Sequence, residues 1–517
     1  MNRSHRKDRE FVCTYLFPYV LRKSRPTHSI EGNIFAQRGT DVIHWDGQSV
    51  RTHNQSRKGF RRVKMADLTS SAPREALVKS LQNLTGRQDV ELLDGYEVKR
   101  ATSGVEGFTS LVLRIKLQYR LPGDDAVKSH VLIVKTLSPI EFQRKIMDEA
   151  HVFSREWLVL GRMVPIMSKV SAGRVKIPAP ECYYGIESGD RAGLYMEDLI
   201  HSGFRAVKRS YLLDGLDYAH CSLVMKGLGR FHGLSLAAEK TLEKGSWFAA
   251  FPHYDSEYVF YIPGPGEPPP LMENMVVSMI QNFKELCKEV EGLPKEAEAS
   301  GVLDEIMEGA WPTLCRLKQT PTNNRRVVTH GDCWMNNMMF RYEEKGDAEE
   351  EPVDVKFYDL QISKLANPSI DLLYFLYLST RRPFRERYFN SLIEEYHASL
   401  TETLKLVDGS SPPFSLSELK SDLEGEYKPF GLIMGLFFSP MMMLGDDFLL
   451  PNADDMTPEK MEEFFNTGST GKVKMRFFVD PVYRSHVEDM IREFVDVALP
   501  NGIKSIDSSP FLAYKVK

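Results

Sequence analysis

The chain has 517 residues, of which 42% are hydrophobic and 26% are charged, and its formal net charge is −5. These proportions are ordinary for a soluble globular protein, and the slight negative charge argues against a protein that binds nucleic acid. A chain of this length exceeds the size at which one hydrophobic core stops growing, so we expect two lobes or domains.

The cysteines and the longest apolar run indicate the cellular setting. The six cysteines are scattered without a C-x-x-C pair, which favours neither a disulfide framework nor a structural zinc site and indicates a reducing, cytoplasmic setting. The longest apolar run, residues 431–445, is shorter than the roughly 20 residues that a membrane-spanning helix needs. We predict that this run forms a buried helix and that the chain has no membrane span. Nothing in the composition indicates an oligomeric state.

Residues 1–64 differ in charge from the rest of the chain, with fourteen Lys or Arg against five Asp or Glu. The first basic residues and the apolar residues 11–21 look like parts of a signal peptide. However, Asp8, Glu10 and Pro18 interrupt this pattern and no small-residue cleavage site follows, so a targeting role is only the alternative. We expect a basic, disordered extension at 1–64, an N-terminal lobe at 65–200, a helical lobe at 201–500 and a tail at 501–517.

The first lobe is predicted to be built around β-strands. Residues 95–102, 109–119 and 130–136 have the alternating or continuous apolar character of strands. The turn between the first two contains Gly104 and Gly107, which would let its backbone approach a phosphate group, a pattern that hairpins without ligands also show. An amphipathic stretch at 140–163 and a strand-like stretch at 183–196 follow. Helical periodicity dominates after about residue 214.

The segment 327–337 carries the strongest functional signal. His330, Asp332 and Asn337 form an H-x-D-x-x-x-x-N pattern that follows an apolar strand, and Asp359 ends the next strand. Phosphoryl transfer needs a carboxylate that orients and deprotonates the attacking hydroxyl, and oxygen ligands that hold magnesium on the phosphates. Asp332 suits the first role, while Asn337 and Asp359 offer the oxygen donors that Mg²⁺ prefers. The alternative is purely structural, with the two aspartates serving as a loop cap and an ion-pair partner.

A site of this kind also needs a lysine that contacts the nucleotide phosphates. Lys135 ends a run of four apolar residues, a position at which a lysine side chain often only extends toward solvent. In a kinase, a carboxylate on the following helix holds such a lysine toward the α- and β-phosphates. We predict Glu156 for this role, with Glu149 as the alternative.

These residues resemble the choline kinase and aminoglycoside phosphotransferase superfamily and, within it, the ecdysteroid kinase-like family. Further stretches that look like this family are the hinge-like residues 195–199, the helical residues 227–235 and residues 367–372, and the resemblance extends from about residue 65 to about residue 499. It implies an α+β, protein-kinase-like two-lobed fold with a small mixed β-sheet N-lobe and a large helical C-lobe. It also implies ATP and Mg²⁺ as cofactors.

The resemblance further implies roles for individual residues. The backbone from Glu197 to Leu199 would contact adenine, and the acceptor would be a small, lipophilic alcohol such as a steroid. The catalytic and metal-binding residues would be the base Asp332, with His330 beside it in the motif, and the metal ligands Asn337 and Asp359.

Three other functions share parts of this pattern. A protein kinase would need an activation segment that ends in A-P-E, but only eleven residues separate Asp359 from Asp371 and none form that motif. A choline- or aminoglycoside-type kinase would have the same catalytic residues and a different acceptor pocket. A pseudokinase that only binds ATP or a lipophilic ligand would not need the base. The joint presence of Lys135, Asp332, Asn337 and Asp359 therefore favours an enzyme.

Several nearby residues have two interpretations. Asp371, in the first turn of a predicted helix, either accepts backbone N–H groups of the loop 330–337 or is favoured there by the helix dipole. We expect His232 to pack between the lobes. Gly227 and Gly229 each cost a helix about 1 kcal/mol relative to alanine. Five aromatic residues beside the loop 263–270 line an apolar pocket or belong to the core: Phe251, Tyr254, Tyr258, Phe260 and Tyr261.

Overall fold

The computed structural model describes residues 72–101, 110–138, 144, 151–189, 191–267, 269–293, 308–321, 323–345, 349–445, 459–460, 463 and 470–498. The chain divides into units 1–59 and 60–517, and all described residues belong to the second unit. The expectations for residues 1–64 and 501–517, and for Gly104, Gly107 and Glu149, concern residues outside the described ranges.

The first described part of the chain folds around an antiparallel sheet. Strand β3 alternates between buried and more exposed residues because one face of the sheet packs on the first helix, through residues such as Leu77, Leu113 and Leu132. The strands run in the order β1-β3-β4-β6-β5, with β2 paired to β3. The elements are α1 (Arg74–Thr85), β1 (Glu91–Leu92), β2 (Glu97–Arg100), β3 (Ser110–Leu121), β4 (Asp124–Leu137), β5 (Cys182–Ile186) and β6 (Gly193–Glu197).

A helical segment connects β4 to β5 and packs against the sheet. It consists of α2 (Val152–Leu158), a π-helical turn (Val159–Met163) and α3 (Val164–Ser171). The indole of Trp157 lies so close to Gly185 that a Cβ atom at Gly185 would be 2.2 Å from Trp157 Nε1. The absence of a side chain on β5 therefore allows α2 to approach the sheet, and this approach positions the neighbouring Glu156.

The rest of the described chain is mainly helical and contains two small sheets. One sheet has the order β10-β9-β7, and the other pairs β11 with β8. Two 3-10 turns, Pro252–Asp255 and Met335–Asn337, also occur. The elements are β7 (Phe204–Arg205), α4 (Tyr211–Asp214), α5 (Tyr218–Glu239), α6 (Trp247–Ala250), α7 (Leu271–Cys287), α8 (Ala310–Leu317), β8 (Val327–Thr329), β9 (Met338–Lys345), β10 (Glu349–Phe357), β11 (Lys364–Ala366), α9 (Ser369–Ser379), α10 (Arg382–Val407), α11 (Leu416–Glu424), α12 (Lys428–Phe437), α13 (Ser439–Met442), α14 (Thr470–Val479) and α15 (Pro481–Ala498).

This arrangement confirms the predicted α+β, two-lobed, kinase-like fold. Residues 183–196 form two strands rather than one stretch, because the chain reverses at a turn that includes Gly189, with φ +85°. The apolar run 431–445 is almost entirely buried, as predicted, but it is divided between α12, α13 and the residues that follow rather than forming one helix. Within the described residues, no helix has the length and apolar character needed to cross a membrane.

The glycines of α5 allow the helices of the second lobe to pack closely. A Cβ atom at Gly229 would lie 2.6 Å from the carbonyl oxygen of Tyr396 and 2.9 Å from the backbone nitrogen of Leu400, both on α10. A Cβ atom at Gly227 would lie 2.9 Å from the ring of Phe357, at the end of β10. The helix-propensity cost of these glycines is therefore offset by packing that a side chain would prevent.

We predict that Gly229→Ala destabilises the protein by about 1–3 kcal/mol, because the new methyl group meets backbone atoms that cannot move aside. The control is Gly471→Ala on α14, where nothing lies within 4 Å of the added Cβ atom. That variant should be neutral or gain up to about 1 kcal/mol from helix propensity. Urea unfolding of both variants measures the difference, and equal stabilities would contradict the close approach of α5 and α10.

Candidate active site

The loop that carries the H-x-D-x-x-x-x-N motif runs from the end of β8 to the start of β9. Its second residue, Gly331, has φ +85°, and a Cβ atom there would lie 2.1 Å from the carbonyl oxygen of Ile362. Only glycine meets both conditions, because other residues rarely adopt this conformation and any side chain would collide with the backbone. The loop thus lies directly against the segment that follows Asp359.

Asp371 on α9 holds the beginning of this loop. Its Oδ2 atom accepts a hydrogen bond from the His330 backbone N–H at 2.6 Å, and its Oδ1 atom accepts one from the Gly331 N–H at 2.9 Å. The carboxylate is fully buried, and His232 Nε2 lies 3.1 Å from Oδ2. Burial would raise the pKa of Asp371, but these hydrogen bonds outweigh it and hold that pKa below its usual value. Of the two interpretations of Asp371, the contacts therefore support the loop-holding one.

His232 was expected between the lobes, and this expectation is wrong. The residue lies on α5, fully buried inside the helical lobe, where Nδ1 is 2.8 Å from the hydroxyl of Tyr396 on α10. His232 therefore connects Tyr396 on α10 to Asp371 and helps to hold Asp371 against the loop.

The side chain of His330 is fully buried and joins the loop to the end of β10. Its Nδ1 atom accepts the backbone N–H of Asp332 at 3.2 Å, so the ring hydrogen resides on Nε2, which donates to the carbonyl oxygen of Tyr358 at 2.9 Å. Both ring nitrogens are thus engaged in hydrogen bonds that fix the backbone.

Asp332 lies at the centre of the loop with both carboxylate oxygens hydrogen-bonded. Oδ1 accepts from the hydroxyl of Tyr374 at 2.5 Å, and Oδ2 accepts from Asn337 Nδ2 at 2.8 Å. The same Nδ2 donates to the Asp332 carbonyl oxygen at 3.0 Å. Burial raises the pKa of Asp332, and the hydrogen bond from Tyr374 partly offsets this effect.

Asp359 adopts an unusual backbone conformation directly after β10. Its φ of +65° is in the left-handed region, which for a residue other than glycine costs of order 1–3 kcal/mol and often occurs at functional sites. Oδ1 lies 2.5 Å from Lys135 Nζ, and Oδ2 accepts from Gln361 Nε2 at 3.2 Å. The backbone N–H of the preceding residue, Tyr358, donates to the Asn337 carbonyl oxygen at 3.0 Å, so Asp359 and Asn337 are neighbours.

Lys135 on β4 forms ion pairs with two carboxylates. Nζ lies 2.6 Å from Glu156 Oε2 on α2, in addition to its contact with Asp359. The side chain of Lys135 is 12% exposed and that of Glu156 is 2% exposed. Burial would lower the pKa of Lys135, but the two carboxylates outweigh it and hold that pKa above its usual value. The structure thus pairs the predicted lysine with Glu156.

The hinge-like residues 195–199, at the end of β6 and just after it, make several side-chain contacts. Glu197 pairs with Lys356 on β10 and accepts the backbone N–H of Glu181 at 3.1 Å. Asp198 pairs with Arg114 on β3, and the Leu199 carbonyl oxygen accepts a backbone hydrogen bond at 2.8 Å from the start of β7. These contacts tie the segment to both β3 and β10.

Comparison with known proteins identifies the family. A family model described as "Ecdysteroid kinase-like family" matches residues 104–409, which is more than half of the chain. The chain belongs to the ecdysteroid kinase-like family. Among solved structures, it is similar to a choline kinase from Cryptosporidium parvum Iowa II, with 13% sequence identity, a TM-score of 0.33, and coverage of 78% of this chain and 96% of that chain. No curated protein matches it.

The donor atoms of this ecdysteroid kinase-like protein fit a nucleotide with Mg²⁺. Asp359 offers carboxylate oxygens, and Asn337, whose amide nitrogen is committed to Asp332, offers its amide oxygen. Magnesium bound with a nucleotide is usually held by one or two such ligands together with phosphates and water. Over the described ranges, no cluster of three or more His, Cys, Asp or Glu side chains is placed to hold a metal ion.

The aromatic residues beside the loop 263–270 are divided between core and surface. Tyr254 and Phe260 are almost completely buried, the first bonded to Ser363 Oγ at 2.7 Å and the second stacked on Trp311 with ring centroids 5.7 Å apart. Tyr258 is half-buried and packs on His151. Tyr254 and Phe260 thus belong to the core, as one of the two interpretations held.

Sequence reasoning did not identify Tyr374 or Lys356 as parts of the site. Tyr374 follows Asp371 by three residues, a spacing that places both on one face of a helix, so a signal was available once Asp371 was assigned to the loop. Lys356 lies on β10 next to the buried Phe357, a position at which strand alternation predicts an exposed side chain. Its pairing with Glu197 depends on how the two sheets meet.

We predict that Asp371→Asn destabilises the protein by about 1.5–3 kcal/mol, because hydrogen bonds to a buried carboxylate are lost and one loop N–H then faces an amide NH₂ group. The control is Asp489→Asn, which removes a partly exposed ion pair with Arg381 at 2.8 Å and should cost about 0–1 kcal/mol. Urea unfolding gives both values, and hydrogen exchange at the Gly331 amide reports the loop directly. Equal effects of the two variants would contradict the loop-holding role.

Proposed function

We propose that the protein is an ATP- and Mg²⁺-dependent small-molecule kinase that phosphorylates a hydroxyl group of a small, lipophilic alcohol. The observation that carries this proposal is a continuous chain of contacts among four residues from distant parts of the sequence. Lys135 contacts Asp359, the residue before Asp359 bonds to Asn337, and Asn337 bonds to Asp332. Phosphoryl transfer needs these four groups around one triphosphate.

Each of these residues has a definite role in the proposed reaction. Lys135, held by Glu156, binds the α- and β-phosphates, and the backbone of residues 197–199 contacts adenine. Asn337 and Asp359 hold Mg²⁺, which when bound neutralises negative charge on the phosphates. Asp332 orients the acceptor hydroxyl and takes its proton as the hydroxyl oxygen bonds to the γ-phosphorus and the bond from that phosphorus to the β,γ-bridging oxygen breaks, releasing ADP.

The environment of Asp332 supports its role as the base. Its raised pKa, caused mainly by burial, makes the carboxylate a better proton acceptor than a solvated aspartate. The hydrogen bonds of His330 and Asp371 are all directed to the loop or its supports. We therefore assign His330, which the motif first placed among the catalytic residues, to positioning the loop rather than to proton transfer.

Membership in the ecdysteroid kinase-like family supports a lipophilic alcohol, such as an ecdysteroid, as the acceptor. A choline- or aminoglycoside-type acceptor would use the same four residues. The acceptor is therefore identified by measuring which candidate compound the protein phosphorylates. A pseudokinase would retain a ligand without producing ADP. One screen of ADP release over an ecdysteroid, a sterol, choline and an aminoglycoside separates these functions.

We predict that Asp332→Ala lowers turnover in this screen at least about a hundredfold, since general-base catalysis contributes at that level. Nucleotide affinity should change less than about threefold, because Asp332 does not contact the phosphates in the proposed complex. The control is Asp94→Ala, which removes a carboxylate that is 96% exposed and should leave both values unchanged. Full turnover by Asp332→Ala would exclude Asp332 as the base, and stoichiometric ligand retention by the wild type without ADP release would favour the pseudokinase.

We predict that Asp359→Asn lowers the gain in ATP affinity that Mg²⁺ provides by about tenfold or more, because one metal ligand loses its charge. Affinity for metal-free ATP should stay equal or rise, since Lys135 then has one carboxylate fewer competing for it. Titration calorimetry with ATP in the presence of Mg²⁺ or EDTA measures both effects, with Asp489→Asn as the control. An unchanged Mg²⁺ dependence would remove Asp359 from the metal site.

A further inference from the structure

Two side chains on one face of helix α9 contact the loop, and a third, Ser379 at the end of the helix, accepts the Met335 backbone N–H at 3.0 Å. Asp371 and Tyr374 are three residues apart, so their side chains project from the same side of the helix. The first accepts the backbone N–H groups of His330 and Gly331, and the second donates its hydroxyl to Asp332 Oδ1 at 2.5 Å. The backbone of the loop and the side chain of its central carboxylate are therefore held by the same rigid element.

The hydroxyl of Tyr374 is well placed to fix the orientation of a carboxylate. The residue is 4% exposed, every residue of α9 is buried, and the ring packs against Phe430 of α12 with centroids 6.3 Å apart. The donor therefore cannot follow the carboxylate if it rotates. Burial and the charge of Asp332 raise the pKa of Tyr374 well above its usual value, so the hydroxyl stays a donor.

Two donors on two oxygens restrict both side-chain torsions of Asp332. Asn337 Nδ2 bonds to Oδ2 and Tyr374 to Oδ1, and a hydroxyl that donates to a carboxylate makes one of the stronger hydrogen bonds in proteins. Each carboxylate oxygen has a second lone pair, which remains for the acceptor hydroxyl. Without Tyr374, the Asn337 bond would be the one remaining hydrogen bond from the described residues to this carboxylate.

We propose that Tyr374 is a positioning residue of the kinase reaction, which holds the Asp332 carboxylate in the orientation that receives the proton of the acceptor hydroxyl. This role rests on the proposed function of Asp332 as the base. A misdirected base lowers the rate of the chemical step without weakening the binding of nucleotide, because Tyr374 acts only through Asp332.

The test is Tyr374→Phe in the full chain, assayed with Mg²⁺-ATP and whichever of the four acceptors of the ADP-release screen gives the highest turnover. We expect kcat to fall about tenfold to a hundredfold. KM for ATP and the dissociation constant of the nucleotide should change less than about threefold. A variant that loses nucleotide affinity as much as kcat would show a general structural role and overturn the inference.

Tyr377→Phe is the matched control. Tyr377 lies one helical turn further along α9, is 2% exposed, and donates its hydroxyl to Glu493 Oε1 at 2.9 Å, away from the loop. Both substitutions remove one oxygen atom from a hydroxyl–carboxylate hydrogen bond in the same helix. We expect Tyr377→Phe to lower the urea unfolding midpoint about as much as Tyr374→Phe does while keeping kcat within about twofold of wild type. Equal losses of kcat in the two variants would overturn the inference.

A double-mutant cycle shows whether Tyr374 acts through Asp332. In an Asp332→Asn background, Tyr374→Phe should lower kcat less than about twofold, because no base remains to be positioned. The same loss as in the wild-type background would overturn the inference. Failure of the proposed function is distinguishable: if the wild type turns over none of the four acceptors, both proposals fall, whereas turnover that Tyr374→Phe leaves unchanged removes only the role of Tyr374.

Discussion

The ammonium group of Lys135 contacts two carboxylates, and these contacts bring together the elements that form the candidate site. Lys135 extends from the central strand β4, while Glu156 lies on α2 and Asp359 follows β10 in the other lobe. A buried cation is stable only when it is paired, and an unpaired carboxylate at 2% exposure would be similarly costly. The sheet, the helix and the strand end therefore meet at this ammonium group, which joins the two lobes together with other contacts such as the Glu197–Lys356 pair.

Within the second lobe, helix α9 likewise joins separate elements, because its side chains contact the loop 330–337. Its Asp371 accepts hydrogen bonds from the backbone of the loop. His232 on α5 contacts the same carboxylate, and Tyr396 on α10 contacts His232. The close packing of α5 on α10, which Gly229 permits, is therefore connected to the loop 330–337 through His232 and Asp371. Buried helices thus fix the position of the Asp332 carboxylate, as the proposed role of Asp332 as the base requires.

The sequence allowed the motif residues, the lysine and the strands β3 and β4 to be predicted, because each has a local signal. Asp332, Asn337 and Asp359 follow apolar strands at fixed spacings, and Lys135 ends one. The partners that complete the site could not be predicted in the same way. The sequence favoured Glu156 over Glu149 as the partner of Lys135, but the ion pair itself depends on the packing of Trp157 against Gly185. His232 was predicted to lie between the lobes because its partner Tyr396 is distant in sequence. Long-range packing decides such pairs.

The ion pair between Lys135 and Asp359 has a consequence for how ligands would bind in the proposed kinase. Lys135 Nζ and Asp359 Oδ1 lie 2.5 Å apart. A phosphate group that binds Lys135 would take the place of Asp359, whose carboxylate would then need another positively charged partner. A nucleotide alone would leave Asp359 facing added negative charge, and a metal ion alone would face the charge of Lys135. Each unfavourable contact disappears when nucleotide and Mg²⁺ bind together. Electrostatics in this small region thus favour the metal–nucleotide complex over the nucleotide alone, because Lys135 already faces two carboxylates and Mg²⁺ would supply the positive charge that Asp359 loses when a phosphate group binds Lys135.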